Sequence, residues 1–298
     1  MKSKLFSCAI AILFAAENAP QISFAADATN SVSQVRYKIA VCDWMILKRQ
    51  KLGAFPLAKE IGADGVELDM GSLGERETFA NALTNAANCK IFSDKARELN
   101  LEISSMAMSG FYAQSFATRT NYLRLVQDCV DTMRAMNVKI AFLPLGVSDL
   151  PKHFDLRPFV VERLKAAGAI AQKAGVVIAV ETELPADEQI KLLNEVNSPA
   201  IKICFNFSDA VENNRDLISE LKTLGANRIC EIHCTDTDGV WLQNDSKIDM
   251  PRVKATLDEM DWRGWLVIER SRDTNDVHNV KKNYSANAAY LKSVFQRQ

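Results

Sequence analysis

The chain contains only three histidines among its 298 residues, and one of them, His233, ends the short apolar run RICEIH. Comparable runs end at Glu181 in VVIAVE, at Asn206 in AIKICFN and at Glu269 in GWLVIE. An imidazole, two carboxylates and an amide oxygen are donors that bind divalent cations such as Mn²⁺, Mg²⁺ or Zn²⁺. Without an ion, two carboxylates buried close together would force one of them to stay protonated. If the four runs end at one place, their side chains could hold one divalent metal ion.

Short β-rich runs alternate with longer helical segments from Tyr37 onward. Eight runs have the composition of strands: YKIAVCD, DGVELD, LEISSMAM, VKIAFLPL, VVIAVE, AIKICFN, RICEIH and GWLVIE. Most are apolar nearly throughout, which is typical of parallel strands covered on both faces. Between them lie segments such as RPFVVERLKAAGAIAQKAG, in which Gly175 is suited to end a helix. Eight β-then-α units in a chain of this length predict an α/β fold, a single (β/α)₈ TIM barrel over residues 36–298.

In such a barrel the catalytic groups stand at the carboxyl ends of the strands. The residues at the predicted ends are Asp43, Glu67 with Asp69, Met106, Pro144, Glu181, Asn206, His233 and Glu269. Taken alone, a buried histidine is more often a hydrogen-bonded core residue, and either glutamate of the set could be ion-paired with Arg270 or a lysine. Because three such residues close strands five, seven and eight of one predicted barrel, we favour the metal site.

The N-terminus has the features of a secretory signal peptide. Two lysines precede an apolar core from Leu5 to Ala16, and Ser23 and Ala25 are small residues at the minus-three and minus-one positions of a cleavage site. The apolar core is shorter than the ~20 residues that a membrane-spanning helix needs. We therefore expect removal of residues 1–25 and a periplasmic or secreted protein with no membrane attachment after cleavage. The alternative is an N-terminal anchor that is not cut.

Charge and cysteine content narrow the class of protein. The chain has 36 lysines and arginines against 37 aspartates and glutamates, a net charge of −1, so it lacks the basic footprint of a nucleic-acid binder. An oxidising compartment would permit disulfides. However, Cys42, Cys204 and Cys230 lie inside apolar runs, where cysteines usually serve as small buried side chains. We expect free thiols.

From about Tyr37 to the C-terminus, the chain resembles the sugar phosphate isomerase/epimerase group of xylose-isomerase-like TIM barrels. The resemblance is carried by Glu181 after strand five, CFNFSDA on strand six, HCTD on strand seven and MDWRGWLVIE on strand eight. It implies that one divalent metal ion is held by Glu181, Asn206, His233 and Glu269, and that the two glutamates form the catalytic acid–base pair. GADGVELD also resembles the second strand of the group, where Glu67 would face a sugar.

Three positions depart from the pattern of the group. Asn206 stands where a metal-binding Asp is usual, Asp209 where His is frequent, and Thr235 where Lys is usual. An amide keeps a coordinating oxygen but removes one negative charge, so we expect weaker metal binding than with Asp. Barrel endonucleases of the same superfamily use several histidines for a multi-metal site, so one ligand histidine argues against a role in DNA repair.

The residues around the predicted mouth suit a small saccharide. The loops after strands one, three and seven carry aromatic residues, whose rings could contact the apolar face of a pyranose or could simply cover the barrel. Arg270 follows strand eight, where it could orient Glu269 or meet a uronate. The predicted substrate-binding residues are Glu67, Asp209, Asp236, Trp44, Phe111, Tyr112, Trp241 and Arg270.

These features predict a metal-dependent carbohydrate isomerase or epimerase that removes a proton next to a sugar carbonyl. Sugar phosphates are scarce outside the cytoplasm, so we expect an unphosphorylated saccharide as the partner molecule. Three alternatives stay open: a lyase that eliminates a group from a 3-keto-glycoside at the same site, a hydrolase that uses Glu67 or Glu183 with a second carboxylate, and a non-catalytic sugar-binding barrel, which Asn206 and Thr235 motivate. Assembly into a homo-oligomer also stays open.

Overall fold

The computed structural model describes residues 35–146, 149–235 and 237–297. Its eight strands are parallel and close into a barrel in chain order. They are β1 (Tyr37–Cys42), β2 (Gly65–Asp69), β3 (Glu102–Ala107), β4 (Ile140–Pro144), β5 (Val177–Glu181), β6 (Ile201–Asn206), β7 (Ile229–His233) and β8 (Gly264–Ile268). The predicted TIM barrel is confirmed, strand by strand. The predicted signal peptide lies outside the described residues.

The helices pack their apolar faces on the outside of the sheet. Within the described ranges they are α1 (Ala54–Ile61), α2 (Ala86–Glu98), α3 (Tyr122–Met136), α4 (Arg157–Ala174), α5 (Ala186–Val196), α6 (Phe207–Glu212), α7 (Leu217–Leu224), α8 (Met250–Glu259) and α9 (Val280–Phe295). Gly175 ends α4 in the left-handed conformation, with φ 68°, as its position in the sequence predicts.

Side chains of each strand alternate between the helices and the barrel interior. On β1, Ile39 and Val41 belong to the core that the sheet shares with the helices, whereas Ala40 and Cys42 belong to the interior core. The buried members of the interior core are Ala40, Cys42, Trp44, Ala107, Phe142, Ala179, Cys204 and Val267. Because most of these side chains are small, polar side chains from neighbouring strands can also enter the barrel.

Two observations relate to the expected export. No helix in the described part of the chain is long and apolar enough to cross a membrane. The six cysteines in the same part are free thiols, and five of them are buried. Their side chains therefore serve as small apolar groups in the two cores.

The strand register brings the predicted ligands to one end of the barrel. Asn206 pairs with His233 across β6 and β7. His233 in turn pairs with Val267 of β8, and Glu269 follows two residues later, directly after the end of the strand. Glu181 is the last residue of β5. Since all strands run in the same direction, these four residues stand at the carboxyl-terminal mouth.

Candidate active site

Three of the four predicted metal ligands converge on one point. The Nδ1 atom of His233 lies 3.3 Å from Glu269 Oε2 and 3.5 Å from Glu181 Oε2. His233 is fully buried, and the two glutamates are nearly so. Two atoms that each lie about 2.1 Å from one ion, at tetrahedral or octahedral angles, are roughly 3.0–3.5 Å apart. Each glutamate oxygen therefore lies at a distance from Nδ1 that a shared divalent ion would allow. Among the described residues, two groups lie close enough together to hold one ion as the side chains stand: Glu181 with Cys204 and His233, and Glu67 with Glu231 and His233. Glu269 would join Glu181 and His233 at one ion only after a small movement of its side chain.

Asn206 reaches the same point but presents its amide nitrogen. Its Nδ2 donates a hydrogen bond to Glu181 Oε2 at 3.1 Å. Its Oδ1 accepts the backbone N–H of Ser208 at 2.9 Å and so caps the N-terminus of α6. The amide oxygen would face the predicted metal position only after a half-turn of the side-chain amide. As the side chains stand, the Asn206 amide contacts Glu181 through its nitrogen while its oxygen caps α6.

The hydroxyl of Tyr112 contacts both Glu181 and Glu269. Its hydroxyl donates to Glu269 Oε1 at 2.8 Å and lies 3.3 Å from Glu181 Oε1. Its ring packs near Phe142, with centroids 6.0 Å apart, and the ring of Phe142 lies 4.4 Å from that of His233. The sequence indicated Tyr112 as an aromatic surface for a sugar, but the structure shows that its phenol also holds the carboxylates of the predicted acid–base pair.

Two further carboxyl groups lie beneath His233, inside the barrel. Glu67 Oε2 is 3.3 Å from His233 Nε2, and Glu231 accepts a hydrogen bond from Ser105 at 2.6 Å. Both glutamates have no exposed surface. Burial, with Glu67 nearby, raises the pKa of Glu231 to about 8. Glu67 therefore faces the imidazole from below, and Glu231, which sequence reasoning missed, could have been found from its spacing two residues before His233 on one strand.

The charge state of His233 follows from these neighbours. Burial by itself lowers the pKa of an imidazole, because the charged form loses water. The contacts with Cys204, Glu67 and Glu269 outweigh that effect and hold the pKa of His233 well above its ordinary value. Without an ion, the imidazolium supplies positive charge among the carboxylates. Metal binding would therefore release a proton from Nδ1.

The predicted aromatic residues occupy different depths. Trp44 is 8% exposed and packs in the interior core, and its indole N–H has no hydrogen-bond partner. Phe111 is buried against Phe79 and Phe116, with ring centroids 6.1 and 5.3 Å away. The indole of Trp241 donates to Asn283 of α9 at 2.8 Å. Of these aromatic residues, Tyr112 contacts the predicted ligands Glu181 and Glu269, and Trp44 packs in the same interior core as Phe142.

The predicted polar substrate-binding residues are likewise dispersed. Asp209 is half-buried in the first turn of α6, and its backbone carbonyl accepts a hydrogen bond from the guanidinium of Arg215. The backbone N–H of Arg270 donates to the carbonyl of Thr235, while its buried Nε has no hydrogen-bond partner. The Thr235 hydroxyl shares a 2.6 Å hydrogen bond with Ser208. Asp236 lies outside the described residues.

Two buried aspartates lie at the carboxyl ends of β1 and β2. Asp43 accepts backbone N–H groups of Asp69 and Gln50, at 3.2 and 2.8 Å, and Asp69 accepts that of Gly71 at 2.5 Å. Gly71 has φ +90°, and a Cβ there would lie 2.3 Å from the carbonyl oxygen of Ala80, so only glycine fits this turn. Burial raises the pKa of Asp69 to about 6 and that of Asp43 well above its usual range.

The family of xylose isomerase-like TIM barrels matches residues 55–294. The chain belongs to this family. One relative is the 2-epi-5-epi-valiolone 7-phosphate 2-epimerase of Actinoplanes sp. The two sequences are 23% identical over 197 residues, and the alignment covers 64% of this chain and 71% of the relative. The rhizopine catabolism protein MocC of Rhizobium meliloti is 25% identical over 118 residues, or 33% of this chain and 36% of that protein.

Solved structures show the same family fold at lower identity. The complex of D-allulose 3-epimerase from Methylomonas sp. with D-allulose aligns with a TM-score of 0.66 at 15% identity, and covers 88% of this chain and 98% of that chain. The 3-keto-D-glucoside 4-epimerase of E. coli aligns with a TM-score of 0.65 at 14% identity, and covers 86% and 99%. These alignments support the barrel fold. At such low sequence identity, the reaction must be inferred from the residues of the site.

The Asp69 carboxyl predicts a pH-dependent stability difference. Its pKa is about 6 in the folded chain and near 4 when unfolded, so its ionisation weakens the fold as the pH rises from 4 to 6. Asp69→Asn keeps an acceptor for Gly71 and removes that ionisation. We expect the variant to match the wild type at pH 3.5 and to exceed its free energy of unfolding by about 3 kcal/mol above pH 6. Urea denaturation between pH 3.5 and 8 measures this, and a difference independent of pH would contradict it.

Proposed function

We propose that this protein is a divalent-metal-dependent sugar isomerase or epimerase. The observation that carries the proposal is the shared contact set of Glu181 and Glu269. Each presents one carboxylate oxygen to His233 Nδ1 and the other to the Tyr112 hydroxyl. Two carboxylates fixed at one small site can remove a proton from a bound sugar and return it. The names of the two epimerases that resemble this chain in sequence and fold support the same reaction class.

The ion would be held by Glu181, His233 and Glu269, with Asn206 as the fourth ligand if its amide oxygen turns toward the centre. These donors suit Mn²⁺, Mg²⁺ or Zn²⁺. When bound, such an ion polarises the carbonyl and hydroxyl oxygens of a sugar and so acidifies the neighbouring C–H group. The contacts of both glutamates with His233 Nδ1 support its binding here, and Glu181 and His233 belong to a group of side chains close enough together to hold one ion.

The remaining chemistry belongs to the side chains. One glutamate takes the proton from the carbon next to the carbonyl and keeps it, and the other donates a proton of its own from the opposite side, while the Tyr112 hydroxyl restrains both carboxyl groups. Return to the same carbon from the other face is epimerisation, and return to the neighbouring carbon is isomerisation. If a glycosidic oxygen is attached one carbon further along, its C–O bond breaks as a C=C bond forms, the second glutamate protonates the departing oxygen, and the reaction is that of a lyase. The likeness to a 3-keto-D-glucoside 4-epimerase makes this substrate class worth testing.

We further propose that the substrate is an unphosphorylated saccharide met outside the cytoplasm. The N-terminal sequence supports export. Of the two arginines that follow β8, Arg272 is already paired with Asp238 through contacts of 2.9 and 2.6 Å, which leaves it poorly placed to bind a phosphate. N-terminal sequencing of the protein from the periplasm or medium should begin at Ala26. A mature protein that starts at Met1 and stays in the cytoplasm would refute export.

The reaction itself is tested by proton exchange. Glu181→Gln and Glu269→Gln should each lower turnover by about 10² to 10⁴-fold, because each removes one proton carrier. The control is Glu183→Gln, two residues beyond Glu181 in the same loop, which should retain activity. Ketohexoses, 3-keto-glycosides and sugar phosphates are incubated in D₂O, and deuterium is located by NMR.

Deuterium should enter the carbon next to the carbonyl in the wild type, and chelation should abolish this. Turnover that survives exhaustive chelation without exchange, and that is lost in the Glu183 variant, would indicate a hydrolase instead. Saturable binding of a sugar without exchange would indicate a binding protein.

The variant Asn206→Asp tests whether the neutral amide at position 206 weakens metal binding. In the metal-free protein this change places a second carboxylate 3.1 Å from Glu181 Oε2, where an amide now donates a hydrogen bond. An added negative ligand attracts a divalent ion more strongly, so we expect Mn²⁺ affinity to rise about tenfold. Isothermal titration measures it, with Asn206→Ala as the neutral comparison. Weaker binding by Asn206→Asp than by the wild type would show that residue 206 is not a ligand.

A further inference from the structure

His233 has two ring nitrogens, and they face different carboxylates. Nδ1 points toward Glu181 and Glu269 at the mouth, whereas Nε2 lies 3.3 Å from Glu67 Oε2 in the barrel interior. Nε2 has no well-aligned hydrogen-bond partner, so the Glu67 contact is close but not linear. The tautomer of a histidine ligand is set by the group that its second nitrogen meets. Glu67 is the carboxylate in position to set it.

Glu67 has few ways to be satisfied other than through His233. It has no exposed surface, and its Oε1 has no hydrogen-bond partner. Its Oε2 accepts a hydrogen bond from the Cys42 thiol at 3.3 Å, a weak donor. The third acidic group of this cluster, Glu231, accepts a hydrogen bond from Ser105 at Oε1, and its Oε2 has no hydrogen-bond partner, so it makes no hydrogen bond to Glu67. A buried carboxylate without a strong donor or cation is costly, and the imidazole, 3.3 Å away, is the nearest group that can supply either.

We propose that Glu67 is a positioning residue that keeps the proton of His233 on Nε2 and so reserves Nδ1 for the metal ion. This inference rests on the proposed metal-dependent function. A carboxylate behind a ligand histidine fixes the ring and raises the basicity of the ligating nitrogen. At this site the Glu67 carboxyl lies behind the imidazole, on the side of Nε2 and away from solvent, whereas Asn206 on the side of Nδ1 supplies no charge.

The first arm of the test observes Nε2 directly in metal-free protein. Histidines are labelled with ¹⁵N, and His233 is assigned with His233→Gln, since the chain has only two others. In the wild type we expect a slowly exchanging, downfield proton on Nε2. Glu67→Leu, which has no acceptor, should lose that signal, and Glu67→Gln, which keeps an acceptor oxygen, should retain it. An unprotonated Nε2 in the wild type would overturn the inference.

The second arm measures Mn²⁺ affinity by titration. Glu67→Leu should bind about 10 to 100-fold more weakly than the wild type, and Glu67→Gln should lie nearer to it. Glu231→Gln is the matched control: it removes a carboxyl at the same depth, keeps the Ser105 contact and should change affinity less than threefold. If Glu67→Leu does not fold, as judged by its thermal transition, the contrast between Glu67→Gln and Glu231→Gln decides.

The outcomes separate this inference from the function it rests on. Unchanged Mn²⁺ affinity in Glu67→Leu, or an equal loss in Glu231→Gln, would overturn the role of Glu67 while the metal site stands. A wild type that binds no Mn²⁺, Mg²⁺ or Zn²⁺ would refute the proposed function, and the ¹⁵N signal would still decide whether Glu67 holds the Nε2 proton.

Discussion

The candidate site depends on one buried imidazole surrounded by carboxylates. Glu67, Glu181 and Glu269 each place an oxygen within 3.5 Å of a ring nitrogen of His233. Taking a carboxylate out of water costs several kcal/mol unless a cation or hydrogen-bond donors compensate. The imidazole is the partner common to all three acids and offsets part of the cost of their burial. Other polar contacts at the mouth, such as the hydrogen bonds of the Tyr112 hydroxyl, stabilise the carboxylates further.

Much of this arrangement could be predicted from the sequence, because a parallel barrel constrains composition strongly. Strands covered on both faces must be apolar nearly throughout, so their limits are visible in runs such as VVIAVE and RICEIH. A polar residue at the end of such an apolar run is not explained by packing of the core. This observation identified Glu181, His233 and Glu269, and the closed topology then brings their strand ends to one mouth.

The rest depends on geometry that no short stretch of sequence contains. Phe111 and Tyr112 are adjacent in a 3₁₀ turn, where consecutive side chains are about 120° apart. One ring is therefore buried in an aromatic cluster while the other reaches the glutamates. Glu67 of β2 contacts His233 of β7 across the barrel interior, and nothing in the sequence near either residue indicates this contact. Such contacts arise because the barrel closes and brings distant strands together, and the local sequence pattern does not encode them.

Asn206 connects the site to the backbone of a helix. The same amide that contacts Glu181 caps α6, so turning its oxygen toward an ion would remove the acceptor of the Ser208 N–H. Loss of an N-cap typically costs about 1 kcal/mol, which corresponds to roughly fivefold in an equilibrium constant. If Asn206 binds the proposed ion, occupancy of that site and order in the first turn of α6 would be thermodynamically coupled. The N-terminus of α6 would then respond to metal binding at the barrel mouth.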